Sequence, residues 1–128
     1  EVFNDSERLK ALNQLVHPRV GIDFKQWVDR RQNQAYVLKE AALLYEAGSD
    51  RSLYKVIVVH ANESLRIQRV LKRDPHRTAD QVIAIIRNQM PEEEKLKRAD
   101  FMIRNDETTL LIPQVLSLHH HFISLHSL

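Results

Sequence analysis

A parallel α/β fold is predicted by two features of this 128-residue sequence. Short apolar or β-branched runs at 35–39, 55–61 and 101–104 alternate with stretches whose apolar residues recur every three or four positions. Strands alternating with helices are characteristic of parallel sheets. The 55–61 run, Lys-Val-Ile-Val-Val-His-Ala, is also continuously apolar through its middle, as expected of a central strand with helices on both faces. The length suits one compact domain with a modest core.

In chain order, Asp5 or Ser6 can cap a first helix that places Leu9, Leu12 and Val16 on one face. His17-Pro18 is expected to break it, and Pro18 suits the first turn of a second helix. In that second helix Val20, Phe24, Trp27 and Val28 form a stripe predicted to be buried. Phe24 and Trp27 read as core residues, with stacking in a ligand pocket as the alternative. Residues 35–39 read as a strand, and Glu40 to Tyr45 as a short helix or turn after it.

Beyond the 55–61 strand, Asn62 can cap a helix over 63–73 that ends before Asp74-Pro75. Thr78 opens another helix with Val82, Ile83, Ile85 and Ile86 on its apolar side. Pro91 begins a helix that is acidic at its start and basic at its end, as the helix dipole favours. Residues 101–104 form a third strand. The last helix is predicted to start near Thr108 or Thr109 and to carry Leu111, Val115, Leu118, Phe122 and Leu125. His119, His120 and His121 lie within it as consecutive residues, which point in different directions and cannot all bind one metal.

Hydrophobic residues at 43% and charged residues at 28% fit an ordinary globular chain rather than a disordered or membrane one. No apolar stretch approaches the roughly 20 residues of a membrane span, and no signal-peptide pattern opens the chain. The absence of cysteine excludes disulfides, thiolate ligands and thiol catalysis, and fits a cytoplasmic location. A formal charge of +2 from interleaved basic and acidic residues argues against a nucleic-acid surface. With only Gly21 and Gly48, no glycine-rich phosphate loop can be built from these residues.

The blocks LNQLVHPRV at 12–20, EAALLYEAG at 40–48, LRIQRVLKRD at 65–74 and RADFMIRN at 98–105, in this order and spacing, resemble dephospho-CoA kinase. That family transfers the γ-phosphoryl group of ATP to the 3′-hydroxyl of dephospho-CoA, the last step in making coenzyme A. The resemblance covers nearly the whole chain. It implies a P-loop kinase fold: a parallel sheet flanked by helices, with a helical substrate-binding region and a lid over ATP. The expected division is a single partial kinase domain, with an acceptor-binding region at 1–34, a core at 35–73 and 98–128, and a lid region at 74–97. The family's first strand, its Gly-rich loop ending in Gly-Lys-Ser/Thr and the aspartate thought to accept the ribose proton are expected before Glu1. Such a loop cradles phosphates with backbone N–H groups and a lysine, and its hydroxyl holds Mg²⁺. The resemblance therefore implies ATP and Mg²⁺ as cofactors, Mg²⁺ bound mainly outside these residues, and ATP and dephospho-CoA as small-molecule partners, with no nucleic acid or membrane. No catalytic or metal-binding residue is expected within the segment, which alone is expected to be inactive.

Residue roles follow from the same resemblance, each beside a plainer reading. Arg69 and Arg73, four apart on a helix, share a face. The family pattern assigns Arg69 to the adenine side and Arg73 to the phosphates, and the alternative is a solvated basic face. Asn105 would meet the adenine base from the loop after the last strand, or simply make a turn with Asp106. His17 would face the acceptor nucleotide, or pack at a helix break; the resemblance places the base elsewhere. Leu43, Leu44 and Glu46 would lie on the substrate side past the carboxyl end of a strand, although the family's proline before the leucines is Ala42 here. Arg98 and Asp100 read as pairing or capping residues around the last strand. The lid should span about Asp74 to Gln89, with Ile85 where the family often has arginine and Arg87 nearby.

Three functions remain open on the sequence: the kinase itself, a non-catalytic fragment or nucleotide- or CoA-binding domain, and a related P-loop kinase with another acceptor. The 128 residues by themselves are expected to expose apolar edges and to aggregate, swap or oligomerise.

Overall fold

The computed structural model describes residues 6–126, with the side chains of Ser6, Leu9, Asn13, His17 and His126 outside that description. Its elements run α1 (Ser6–Asp29), β1 (Ile57–His60), α2 (Glu63–Arg73), α3 (Ala79–Arg87), α4 (Glu92–Arg98), β2 (Phe101–Arg104) and α5 (Leu111–His126), with a 3₁₀ turn at Ser49–Ser52. They fall into two compact units: the residues up to Lys39 with those from Phe122 onward, and Glu40–His121.

In the first unit α1 runs unbroken for 24 residues with Pro18 inside it, which corrects the expected break. An interior proline removes one i→i−4 hydrogen bond and crowds the preceding turn. Here Gln14 and Pro18 are both exposed, so the proline sits on a solvent-facing part of the helix. The expected cap at Asp5 lies outside the described residues, and Ser6 is the first residue of the helix. The stripe predicted to be buried is not: Val20 is 54% and Trp27 39% exposed, with Phe24 and Val28 half-buried. Periodicity fixes which residues share a face, not whether another element covers it. Phe24 and Trp27 stack at 6.1 Å. The Arg31 guanidinium lies 3.7 Å from the Trp27 ring centre, and the Lys39 ammonium 4.7 Å from that of Phe24.

The predicted strand at 35–39 does not form; residues 36–41 have no regular structure. A strand is completed by a neighbour's hydrogen bonds rather than by its own residues, and no described strand pairs with it. The turn expected after it is present at residues 42–48.

The second unit is built on β1 and β2, a parallel pair in the register Ile57↔Phe101 through His60↔Arg104. This confirms the α/β class and two of the three expected strands. Tyr45, Val56, Ala61, Val82 and Ile103 are its buried apolar residues. Val59 stays 58% exposed, so among the described residues the apolar β1 run is not covered on every side.

The sheet is started by side chains. Asp100 accepts the Val56 N–H at 2.8 Å and the Lys55 ammonium at 2.8 Å, while the N–H groups of Asp100 and Phe101 both donate to Val56 O. The lysine and the Val56 N–H hold the Asp100 carboxyl below its ordinary range. Arg98 pairs with Asp50 at 2.9 Å and lies over the Tyr45 ring. Arg98 and Asp100 thus have the pairing and capping roles read from the sequence.

The helix ends follow their local chemistry. Thr78 and Gln81 make a reciprocal capping box at the start of α3. Helix α4 carries Glu92, Glu93 and Glu94 in its first turn and basic residues in its last. Helix α5 starts at Leu111, later than expected, because Asp106 takes the N–H groups of Thr108 and Thr109 into a turn of its own. Gln114 then bridges α5 to β2: its carboxamide accepts the Arg104 N–H at 2.8 Å and donates to the Arg104 carbonyl at 3.0 Å.

Candidate functional site

The carboxyl ends of β1 and β2 place His60 and Asn105 side by side, joined by Asn105 N–H donating to His60 O at 2.8 Å. Ligands of open parallel sheets bind along this edge. Helix α2 returns past it, and Arg69 reaches the loop after β2. Its Nη1 donates to the Asn105 carbonyl at 2.9 Å, and its Nη2 lies 3.5 Å from Asn105 Oδ1 and 3.2 Å from Glu107 Oε1. The two residues predicted to serve one nucleotide are therefore brought into contact across 36 positions of sequence.

The loop is stiff by its own bonding. Besides the two N–H groups, Asp106 accepts the hydroxyls of Thr108 and Thr109 at 3.0 and 3.2 Å. The Thr109 N–H is the largest influence, and together these donors outweigh desolvation and lower the Asp106 carboxyl to about 2. Glu107 has φ 68°, a left-handed conformation that costs a non-glycine residue roughly 1–2 kcal/mol.

Arg73 lies one turn further along α2 and is 75% exposed. Asp74 holds it through Nε at 3.3 Å and Nη2 at 3.0 Å. That pair raises the arginine and lowers the aspartate from their ordinary values. Arg66, on the preceding turn, meets Glu92 Oε2 at 3.2 Å, and the other oxygen of Glu92 takes His60 Nδ1 at 2.8 Å. The buried Nε of Arg66 has no hydrogen-bond partner. This His60–Glu92–Arg66 cluster ties β1, α2 and α4 together. Sequence reading missed it, because Glu92 was read only as part of the acidic start of a helix and its partners are distant in sequence.

Of the residues assigned to the acceptor, Leu43 is 51% exposed and Leu44 half-buried in the 42–48 turn. Glu46 accepts the Met90 N–H at 2.8 Å, with Lys95 Nζ at 3.4 Å. Desolvation pushes Glu46 upward, but the Met90 and Glu46 N–H groups and Lys95 outweigh it and keep the carboxyl below its usual range. It thus ties the 42–48 turn to the segment between α3 and α4. His17 lies within α1 in the other unit, and its side chain is outside the described residues. In the segment expected to be a lid, Asp80, Ile83, Ala84, Arg87 and Asn88 line a cavity of about 370 Å³ on α3. Among the described residues no three His, Cys, Asp or Glu side chains converge to hold a metal ion. No described helix is long and apolar enough to cross a membrane.

Comparison with known proteins gives a consistent result. A family profile described as dephospho-CoA kinase matches residues 1–110. A dephospho-CoA kinase of Bacteroides fragilis is 36% identical over 117 residues, spanning 91% of this chain and 57% of the relative. That of Chlorobaculum tepidum is 40% identical over 109 residues, 84% of this chain and 51% of its own length. The chain thus spans little more than half the length of these curated relatives. The crystal structure of TT1252 from Thermus thermophilus superposes with a TM-score of 0.83 at 35% identity, covering 94% of this chain and 62% of that one.

Proposed function

The chain belongs to the dephospho-CoA kinase family, and from that premise we propose that it supplies the nucleotide loop, lid and acceptor wall of an enzyme phosphorylating the 3′-hydroxyl of dephospho-CoA with ATP. The observation that carries this reading is the Arg69–Asn105 junction at the carboxyl edge of the parallel sheet.

The chemistry assigned to this chain is positioning. A planar guanidinium oriented by Asn105 and Glu107 offers its face to a purine, where stacking and cation–π attraction act together. Asn105 carries a donor and an acceptor on one amide, which suits a base edge. Arg73, released from Asp74, brings a charge-assisted fork to the phosphates. Holding donor and acceptor nucleotides in reach replaces a bimolecular encounter with an oriented one. His17, Leu43, Leu44 and Glu46 are proposed for the dephospho-CoA side; for Glu46 this means working through the turn it anchors. The enzyme draws on Mg²⁺ with its ATP, and no step assigned to these residues passes through the metal.

ADP release by the full-length protein, measured with ATP and Mg²⁺ with and without dephospho-CoA, tests the reading. Turnover that requires dephospho-CoA is expected. Calorimetric binding of ATP or coenzyme A with no turnover would instead favour a non-catalytic nucleotide-binding role. Turnover only with a different hydroxyl acceptor would retain the kinase and reject the substrate.

A further inference from the structure

The turn that carries Asn105 bends through a residue ill-suited to its conformation. Glycine adopts φ 68° freely, whereas glutamate rarely does. The turn does not need a glutamate for its hydrogen bonds, because Asp106 supplies them to Thr108 and Thr109. What Glu107 adds is a carboxylate 3.2 Å from Arg69 Nη2, on a side chain that is otherwise 65% exposed. Among the described residues, the strained backbone thus supports a contact with Arg69.

We infer that Glu107 is a positioning residue for the nucleotide, setting the orientation of the Arg69 guanidinium. Asn105 occupies Nη1 through its carbonyl and lies beside Nη2 through its amide oxygen, and Glu107 takes Nη2 from the far side of the turn. With its terminal nitrogens engaged, the cation cannot fork a phosphate without breaking these contacts. Its planar face remains the part offered to a ligand, and that face stacks on an aromatic base. Glu107 therefore biases Arg69 toward the base and leaves phosphate contact to Arg73. This inference rests on the nucleotide role proposed for Arg69 and Asn105.

The test uses the full-length protein, with ATP titrated at saturating dephospho-CoA and a thermal unfolding midpoint recorded for each variant. Glu107→Gly removes the carboxylate and relieves the backbone. The expected result is a KM for ATP raised about three- to fivefold, the scale of an exposed ion pair, with kcat within about twofold and a midpoint unchanged or higher. Glu107→Gln, which keeps the backbone strain and an amide oxygen, should fall between wild type and glycine. In the Arg69→Ala background the glycine variant should add nothing further, because both changes remove one contact. An unchanged KM in Glu107→Gly, with Arg69→Ala raising it, would reduce Glu107 to a turn residue and overturn the inference. If Arg69→Ala itself left the KM unchanged, the nucleotide reading would fail and take this inference with it.

Discussion

Asp106 is the residue whose ionisation most directly organises the loop after β2, and its effect has a definite sign. Its carboxyl is lowered from 3.8 to about 2 in the folded chain. A depressed carboxylate contributes stability that is present above the unfolded value and lost as pH falls through the folded one. The contribution should therefore be intact above pH 3.8 and fade toward pH 2. Carboxyl ¹³C shifts in an NMR titration should report an Asp106 midpoint near 2; a midpoint near 3.8 would mean that the four donors do not hold it. Ile103, at the centre of β2 and 8% exposed, offers a packing test. Ile103→Ala should cost about 2–4 kcal/mol by chemical denaturation, whereas a loss under half a kilocalorie would place Ile103 outside the core. Arg69 and Asn105 were singled out by their motif blocks, and the structure brings them into contact. Glu107 was not, since nothing in a sequence marks a glutamate that adopts a glycine conformation.

At the scale of elements, α3 is the helix whose start depends most visibly on side chains. Thr78→Ala removes the capping box and should weaken α3 by about 1 kcal/mol. Amide exchange at 79–83 should accelerate several-fold while β1 and β2 keep their protection; uniform acceleration would mean that α3 unfolds only with the rest of its unit. Gln114→Ala leaves both backbone groups of Arg104 without their carboxamide partner and should cost about 1 kcal/mol, with β2 amides the first to show it. A change confined to α5 would contradict a bridge between helix and strand. The boundaries of α2, α3, α4 and β2 were readable because caps, charges and periodicity are local. The strand expected at 35–39 was not settled by its residues, since its existence depends on a partner elsewhere. Pro18 was misleading for the converse reason: a proline in an exposed helix costs stability without ending it.

For the whole molecule, composition and periodicity identified the α/β class, and the ordered motif blocks identified the family. The exposed apolar edges expected of these 128 residues are also present among the described elements. Leu15 is 69% exposed, Leu110 77% and Ile112 72%, and Val59 on β1 is 58% exposed. Surface of this kind favours association. The 128-residue chain expressed alone should elute above its 15.0 kDa mass, with an apparent mass that rises with concentration. A concentration-independent monomer by light scattering would contradict that expectation. The same scale holds the central claim, that the Arg69–Asn105 junction is where this kinase family member grips its nucleotide. Its most direct test is the ATP dependence of ADP release by full-length wild type and Arg69→Ala at fixed, saturating dephospho-CoA. The account predicts a KM for ATP raised about tenfold or more, corresponding to roughly 1.4 kcal/mol of lost binding, with the unfolding midpoint within a few degrees of wild type. An unchanged KM in a well-folded variant would contradict it.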